Sequence, residues 1–183
     1  YDSKIPQGIA TNIWETVPMR GDIPTFRRLN VLSDILGDRL RAEVREKLGA
    51  TYSPNTGASG SDSMEGVGYL IAQSIGQPKD LELLHKSMIA QADQLSEEGA
   101  TQDELERALK PLLGSLEKSK RDNAYWLNTV MARCQEDPER LELARKRDTD
   151  YASMKLEEIN ELAKKYLSKN KVLSVTIRSE EVN

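Results

Sequence analysis

The sequence predicts an α+β fold, a mixed or antiparallel sheet with helices packed on one face, and three observations carry that expectation. Segments near the two ends alternate apolar and polar residues with the period of a strand, and the stretch from Leu29 to Leu48 repeats apolar residues at helical spacing. Two more strand-like runs, Tyr52 to Ser59 and Val67 to Ile75, flank a stretch rich in turn formers. The expected order is β, α, β, β, α, α, α, β, in which strands and helices neither alternate strictly nor segregate.

From Gln7 to Val17, Ile9, Ile13 and Val17 fall on one parity and Ala10, Asn12, Trp14 and Thr16 on the other, which reads as a strand. After the turn Met19-Arg20-Gly21, Asp22-Ile23-Pro24 supplies a capping side chain and a first-turn proline. Leu29, Leu32, Leu36, Leu40, Val44 and Leu48 then stack on one face of a helix of about seven turns, ended by Gly49. The two runs around Gly60 to Gly66 form a hairpin. Pro78 opens a helix with Leu81, Leu84, Met88 and Leu95 on its apolar side, and Gly99 closes it in the position that favours a left-handed backbone. Thr101 and Glu104 have capping-box spacing. The helix they start meets Pro111, which removes a ladder hydrogen bond, and the expectation is a bent helix running on through Trp126 toward Arg133. Leu156, Ile159, Leu162 and Tyr166 mark a last helix before a strand in which Leu173, Val175 and Ile177 alternate with Ser174, Thr176 and Arg178.

The 183 residues have the length of one domain, and 38% hydrophobic residues with 11 glycines supply one core. A domain of this size buries about 70% of the surface its unfolded chain exposes, so neither disulfide nor metal is needed for folding. The 26 basic and 30 acidic side chains leave a net charge of −4 without a basic block, which argues against nucleic acid as a partner. No apolar run approaches the roughly 18 to 20 residues that cross a bilayer, so membrane insertion is not expected. Cys134, the single cysteine, cannot pair within the chain. A chain opening on Tyr1 rather than Met reads as an excised or processed piece, so the lack of a signal segment is uninformative.

The single histidine restricts the chemistry. A hydrolytic zinc site takes three protein ligands, and helical zinc motifs set two histidines one turn apart. His85 is followed by Lys86, Ser87 and Met88, so HExxH and its inverse HxxEH are both missing, and the expectation is an ordinary helix residue and no metal site. The glycines between Thr56 and Gly68 lead from strand to strand, without the Gly-Lys-Ser/Thr ending of a phosphate loop, and read as hairpin flexibility. The acid pairs Glu97-Glu98, Glu157-Glu158 and Glu180-Glu181 are sequence neighbours, so on a helix they point about 100° apart and read as solvated charge. Tyr125-Trp126 reads as core or interface packing. From Leu40 to Ser53 a helix ends on a basic turn, breaks at glycine and enters a strand through a tyrosine, with Arg45 and Tyr52 seven residues apart. On pattern alone, Arg45 complements the helix dipole and Tyr52 packs at the sheet edge.

That stretch also carries a family resemblance. Leu36 to Ser53, with Leu-Gly-Asp-Arg-Leu before Val-Arg-Glu-Lys-Leu-Gly-Ala-Thr-Tyr-Ser, is similar to the helix-to-strand junction in the C-terminal-type, non-zinc domain of the pitrilysin/insulinase family of zinc metallopeptidases. The strand at Gly66-Val67-Gly68-Tyr69, the helix start Gly99 to Leu105, and the helix from Leu156 to Leu167 resemble that domain too, so nearly all of residues 1–183 is covered as one such domain of a longer peptidase. The resemblance implies two homologous halves closing around a peptide-degrading chamber. The zinc half carries HxxEH and a distal glutamate, so the zinc cofactor is held by another domain or subunit. The other half supplies an arginine and a tyrosine that hold the peptide backbone opposite the metal, roles matching Arg45 and Tyr52. The partners implied are a zinc-bearing homologous half and a peptide substrate, and bacterial members point toward the periplasm or envelope. Two other readings stand beside it: a non-catalytic scaffold or assembly subunit of the same fold, and a peptide-binding module that adds an extended strand to an open sheet edge.

Overall fold

The computed structural model describes residues 7–19, 21–48, 53–61, 66–132 and 134–178, with residues 44–48 and 169 described by backbone alone. Four strands, β1 (Gly8–Glu15), β2 (Asn55–Gly60), β3 (Gly68–Gly76) and β4 (Val172–Arg178), form one sheet in the order β2-β3-β1-β4. All neighbours are antiparallel: Ile13 pairs with Ile71 and Leu173, and Ile9 with Ile75 and Ile177. The helices are α1 (Ile23–Leu48), α2 (Leu81–Glu98), α3 (Gln102–Ser119), α4 (Asn123–Tyr125, continuing as a π-helical turn over Trp126–Met131), α5 (Glu139–Ala152) and α6 (Leu156–Tyr166).

The α+β class and the helix-on-one-face arrangement hold. On β1, Ala10, Asn12 and Trp14 are fully buried beneath the helices, while Ile9 and Ile13 on the opposite parity are half-buried. Leu29, Leu32, Leu36 and Leu40 of α1 and Leu84, Met88 and Leu95 of α2 are all within 1% of complete burial, forming one core with Ile159 and Ala163 of α6. Their removal from water is the main stabilising term, worth about 1.5–3 kcal/mol for each fully buried large side chain. The local start and stop signals also behave as expected. Asp22 Oδ1 accepts from the Thr25 N–H at 3.1 Å, and Gly99 takes φ 79° at the end of α2. Thr101 and Glu104 form a complete capping box.

Several expectations are corrected. The third helix runs without interruption past Pro111 but stops at Ser119, and Asp122 caps a new start by accepting from the Ala124 N–H at 2.9 Å. A helix absent from the expected order, α5, follows. It is held to α1 by charge: Asp150 takes Arg27 and Arg28, each at 3.0 Å, and Arg28 also reaches Glu158 at 3.1 Å. Trp126 stands edge-on to Tyr125 with 5.4 Å between ring centroids and is 43% exposed, so this pair is not core. β2 begins at Asn55 rather than Tyr52, after the buried Pro54, whose ring nitrogen has no hydrogen to donate to a ladder. Tyr52, and Gly49 at which the helix is expected to end, lie outside the described residues.

Candidate functional site

The junction between α1 and β2 is positioned by two clamps. Near the middle of α1, Gly37 faces β2 so closely that a Cβ there would overlap Thr56 Oγ1, and the Thr56 hydroxyl donates to the Ser33 carbonyl at 2.8 Å. A glycine at this position leaves room for the Thr56 side chain, whose hydroxyl bridges strand and helix. Two residues on, Arg39 grips the corner between α2 and α3. Its Nε donates to Glu104 Oε1 at 2.6 Å, and its Nη2 donates to Glu104 Oε2 and to the Gly99 carbonyl, both at 2.9 Å. Both side chains are largely buried, and the fork geometry makes this a strong, direction-fixing pair. Arg39 and the Thr101 N–H together hold the Glu104 carboxyl at a pKa of about 2, well under its usual 4.5.

These clamps fix the direction in which the last turn of α1 points, and the backbone of Arg45 lies in that turn. The Arg45 side chain and all of Tyr52 lie outside the described residues, so the separation of guanidinium and phenol is not part of the structure. Beside the same end of α1, a cleft of about 280 Å³ opens between α1 and α2, lined by Arg39, Ala42, Glu43, Gln91, Gln94 and Glu98. Its wall is polar, but the Arg39 fork is taken up by Glu104 and the Gly99 carbonyl and the Gln94 amide by Glu98.

A second constellation surrounds His85 on α2. Asn12, fully buried on β1, donates from Nδ2 to the His85 carbonyl at 3.3 Å. A carbonyl can only accept, so the Asn12 amide oxygen is turned to the imidazole, where it lies 2.8 Å from Nδ1. Nδ1 therefore carries the hydrogen. Nε2 is left as an acceptor for the Thr176 hydroxyl at 2.9 Å, and Ser174 Oγ donates to the same Asn12 oxygen at 2.7 Å. Burial holds the imidazole pKa below its ordinary 6.5. The ring thus ties α2 to β1 and to the edge strand β4, at the head of a cleft of about 450 Å³ whose rim carries Lys79, Glu82 and Arg178. The sequence suggests only an ordinary helix residue at His85 and does not reveal its partners Asn12 and Thr176, nor Ser174 behind Asn12. The available signal was an asparagine in mid-strand on the same parity as Trp14.

Neither constellation fits a metal. Among the described residues no group of three or more His, Cys, Asp or Glu is arranged to hold one, and both nitrogens of His85 are taken by uncharged side chains. Cys134 is a half-buried free thiol. No helix among the described residues is long and apolar enough to cross a membrane.

The sequence model of the peptidase M16 inactive domain matches residues 3–112. The chain belongs to the peptidase M16 inactive-domain family. This is the pitrilysin/insulinase-type relationship that the junction and capping motifs pointed to. Among solved structures, the inactive peptidase domain of a candidate zinc protease from Bordetella parapertussis is similar with a TM-score of 0.75 at 20% identity, covering 97% of this chain and 96% of that one. The Helicobacter pylori protease gives 0.77 at 15% identity over 97% of this chain but 43% of its own. The periplasmic protease PqqL from Escherichia coli gives 0.74 at 18% identity, covering 97% of this chain and 20% of that one. This M16 domain therefore spans nearly all of the Bordetella chain and only a fifth to two-fifths of the other two. No curated protein is close enough in sequence to match.

Proposed function

We propose that this M16 inactive domain is the non-zinc half of a zinc metalloendopeptidase, closing over a peptide and holding its backbone with Arg45 and Tyr52 opposite a zinc site on another domain or subunit. The observation that carries the reading is the family match through residues 3–112, which includes the whole α1–β2 junction and its Arg45 to Tyr52 spacing. A zinc ion in the other half would polarise the scissile carbonyl and supply the hydrolytic water. This chain's share is two donors aimed in advance. A guanidinium and a phenol hydroxyl can both hydrogen-bond a peptide carbonyl, or the oxyanion that develops from it, without transferring a proton. The Gly37–Thr56 contact and the Arg39–Glu104 fork support that role, because they brace the helix in whose last turn the Arg45 backbone lies. The length of the Helicobacter protease and of PqqL supports a longer parent, and the periplasmic description of PqqL favours an envelope location.

The test is Arg45→Ala and Tyr52→Phe in the complete enzyme. Each lowers peptide hydrolysis by roughly 10² to 10³ with zinc content unchanged, the size expected for loss of one oxyanion donor. Hydrolysis at the wild-type rate in both variants returns the two residues to capping and packing. A scaffold role is the second reading. It is favoured by the same fold within Complex III from Candida albicans, at a TM-score of 0.77 and 12% identity. A complete protein without bound zinc or peptide turnover would select it.

A further inference from the structure

We propose that Asn12, His85 and Thr176 form an acyl-transfer site whose substrates are small esters carrying an anionic group. It stands apart from the peptidase reading, since no part of it uses Arg45, Tyr52 or zinc. The order of the hydrogen bonds carries the inference. Asn12, fully buried on β1, presents its amide oxygen to His85 Nδ1 at 2.8 Å. The amide is kept from turning over on both sides, by the His85 carbonyl that accepts from Nδ2 and by the Ser174 hydroxyl that donates to Oδ1. The neutral ring therefore holds its hydrogen on Nδ1 and aims the basic lone pair of Nε2 at the Thr176 hydroxyl, 2.9 Å away. A hydroxyl in contact with a base, with that base oriented by a third group, is the arrangement that activates serine and threonine nucleophiles. An amide fills the orienting position here. Thr176 is exposed and within reach of a substrate, while Asn12 behind the ring is sealed. Burial favours the neutral imidazole, the form able to take a proton.

The cleft beside the hydroxyl selects the substrate. Thr176 and His85 line a space of about 450 Å³ that also takes in Lys79, from the 3-10 turn Pro78–Asp80 leading into α2, and Arg178. Arg178 follows Thr176 by two residues on the same face of β4, a backbone separation of about 7 Å. Neither cation is paired with an acidic side chain among the described residues, and the one carboxylate in the lining, Glu82, is engaged by Lys86 at 2.6 Å. Lys79 and Arg178 thus supply charged donors for an anionic group on the substrate and for the oxyanion formed during attack. In the first half of the reaction the Thr176 oxygen attacks the ester carbonyl carbon and its proton passes to His85 Nε2. The bond from that carbon to the leaving oxygen breaks, and Nε2 returns the proton to the departing alcohol, leaving the acyl group esterified to Thr176. Water then attacks the same carbon and gives its proton to Nε2. As the acid leaves, Thr176 recovers that hydrogen, so the sum is ester and water to acid and alcohol.

The probe is the mono-p-nitrophenyl ester of glutaric acid, added together with EDTA to the 183-residue chain, which matches in extent a domain crystallised from Bordetella. The expected result is release of nitrophenolate and attachment of a single glutaryl group, located on Thr176 by peptide mass mapping. Thr176→Val abolishes the attachment, and Thr176→Ser keeps it. His85→Gln slows acylation by about 10²-fold, the lower end for loss of a general base. Asn12→Ala slows it comparably, and ring-nitrogen NMR of that variant finds the hydrogen no longer fixed on Nδ1, a change that a purely structural asparagine would not couple to the rate. Arg178→Gln cuts the preference for the glutarate ester over p-nitrophenyl acetate by about tenfold, as expected for one charge-assisted hydrogen bond. Acyl groups found only on lysines, an unmodified Thr176, or acylation of His85→Gln at the wild-type rate overturns the proposal. Because Thr176 is exposed, its two variants keep the fold and decide the matter even where substitution of the buried partners prevents folding.

Discussion

On β1, Ala10, Asn12 and Trp14 face the helices and are fully buried, whereas Ile9 and Ile13, in the same strand, face outward and are only half covered. On β4 the contrast is sharper, since Ser174 and Thr176 turn toward α2 and its histidine while Leu173, Val175 and Ile177 turn away. On β4 the side toward the helices carries the hydroxyls of a polar network and the open side the aliphatic residues, whereas β1 and β3 bury Ala10, Trp14, Leu70 and Ala72 beneath the helices. Burial beneath α1 and α2, assisted by hydrogen bonds that satisfy the enclosed polar groups, stabilises this domain.

The largest test of that division is Trp14→Ala. Its indole nitrogen has no hydrogen-bond partner among the described residues, so its contribution is apolar volume, and removal costs about 3–5 kcal/mol in urea unfolding of the isolated chain. A loss under 1 kcal/mol would mean that the covered face is not where stability resides. Next is Asn12→Ala, which strands the His85 Nδ1–H and the Ser174 hydroxyl and costs about 1–3 kcal/mol. With one histidine in the sequence, ring-nitrogen NMR reads it directly, and the hydrogen should be found on Nδ1. Because burial lowers the His85 pKa in the folded state, the unfolded chain takes up the proton first. Its contribution is therefore complete above pH 6.5 and declines as pH falls from there toward the lower folded value. His85→Gln removes that part of the pH dependence, and an unaltered acid slope would refute the assignment. The smallest effect belongs to the open face: Ile177→Ala in the isolated chain changes stability by no more than about 0.5 kcal/mol.

Local chemistry was legible wherever a feature depends on a few adjacent residues. Asp22 before Pro24, Gly99, and Thr101 with Glu104 announced their helix ends because capping is settled within one turn. The strands were legible by alternation, but alternation cannot say which parity meets a helix, and on β4 that omission concealed both the His85 network and the apolar face. The helix α5 escaped because it has few apolar residues to reveal a period. Its attachment comes instead through Asp150 to Arg27 and Arg28, more than 120 residues away, where no local pattern records it. The break after Ser119 was signalled by Asp122, a good capping residue, but the apolar spacing across Tyr125 and Trp126 suggested continuation. Arg45 and Tyr52 were singled out by family resemblance, since their residue types and spacing fit a dipole-complementing cation and an edge aromatic equally well.

Glu104 does two jobs with one carboxylate: it completes the first turn of its own helix and it receives the fork of an arginine 65 residues earlier. A turn that would ordinarily fray by itself is thereby made hostage to the seating of another helix. Loosening either end releases both, so the corner that stiffens the approach to the α1–β2 junction opens as a cooperative unit or stays shut.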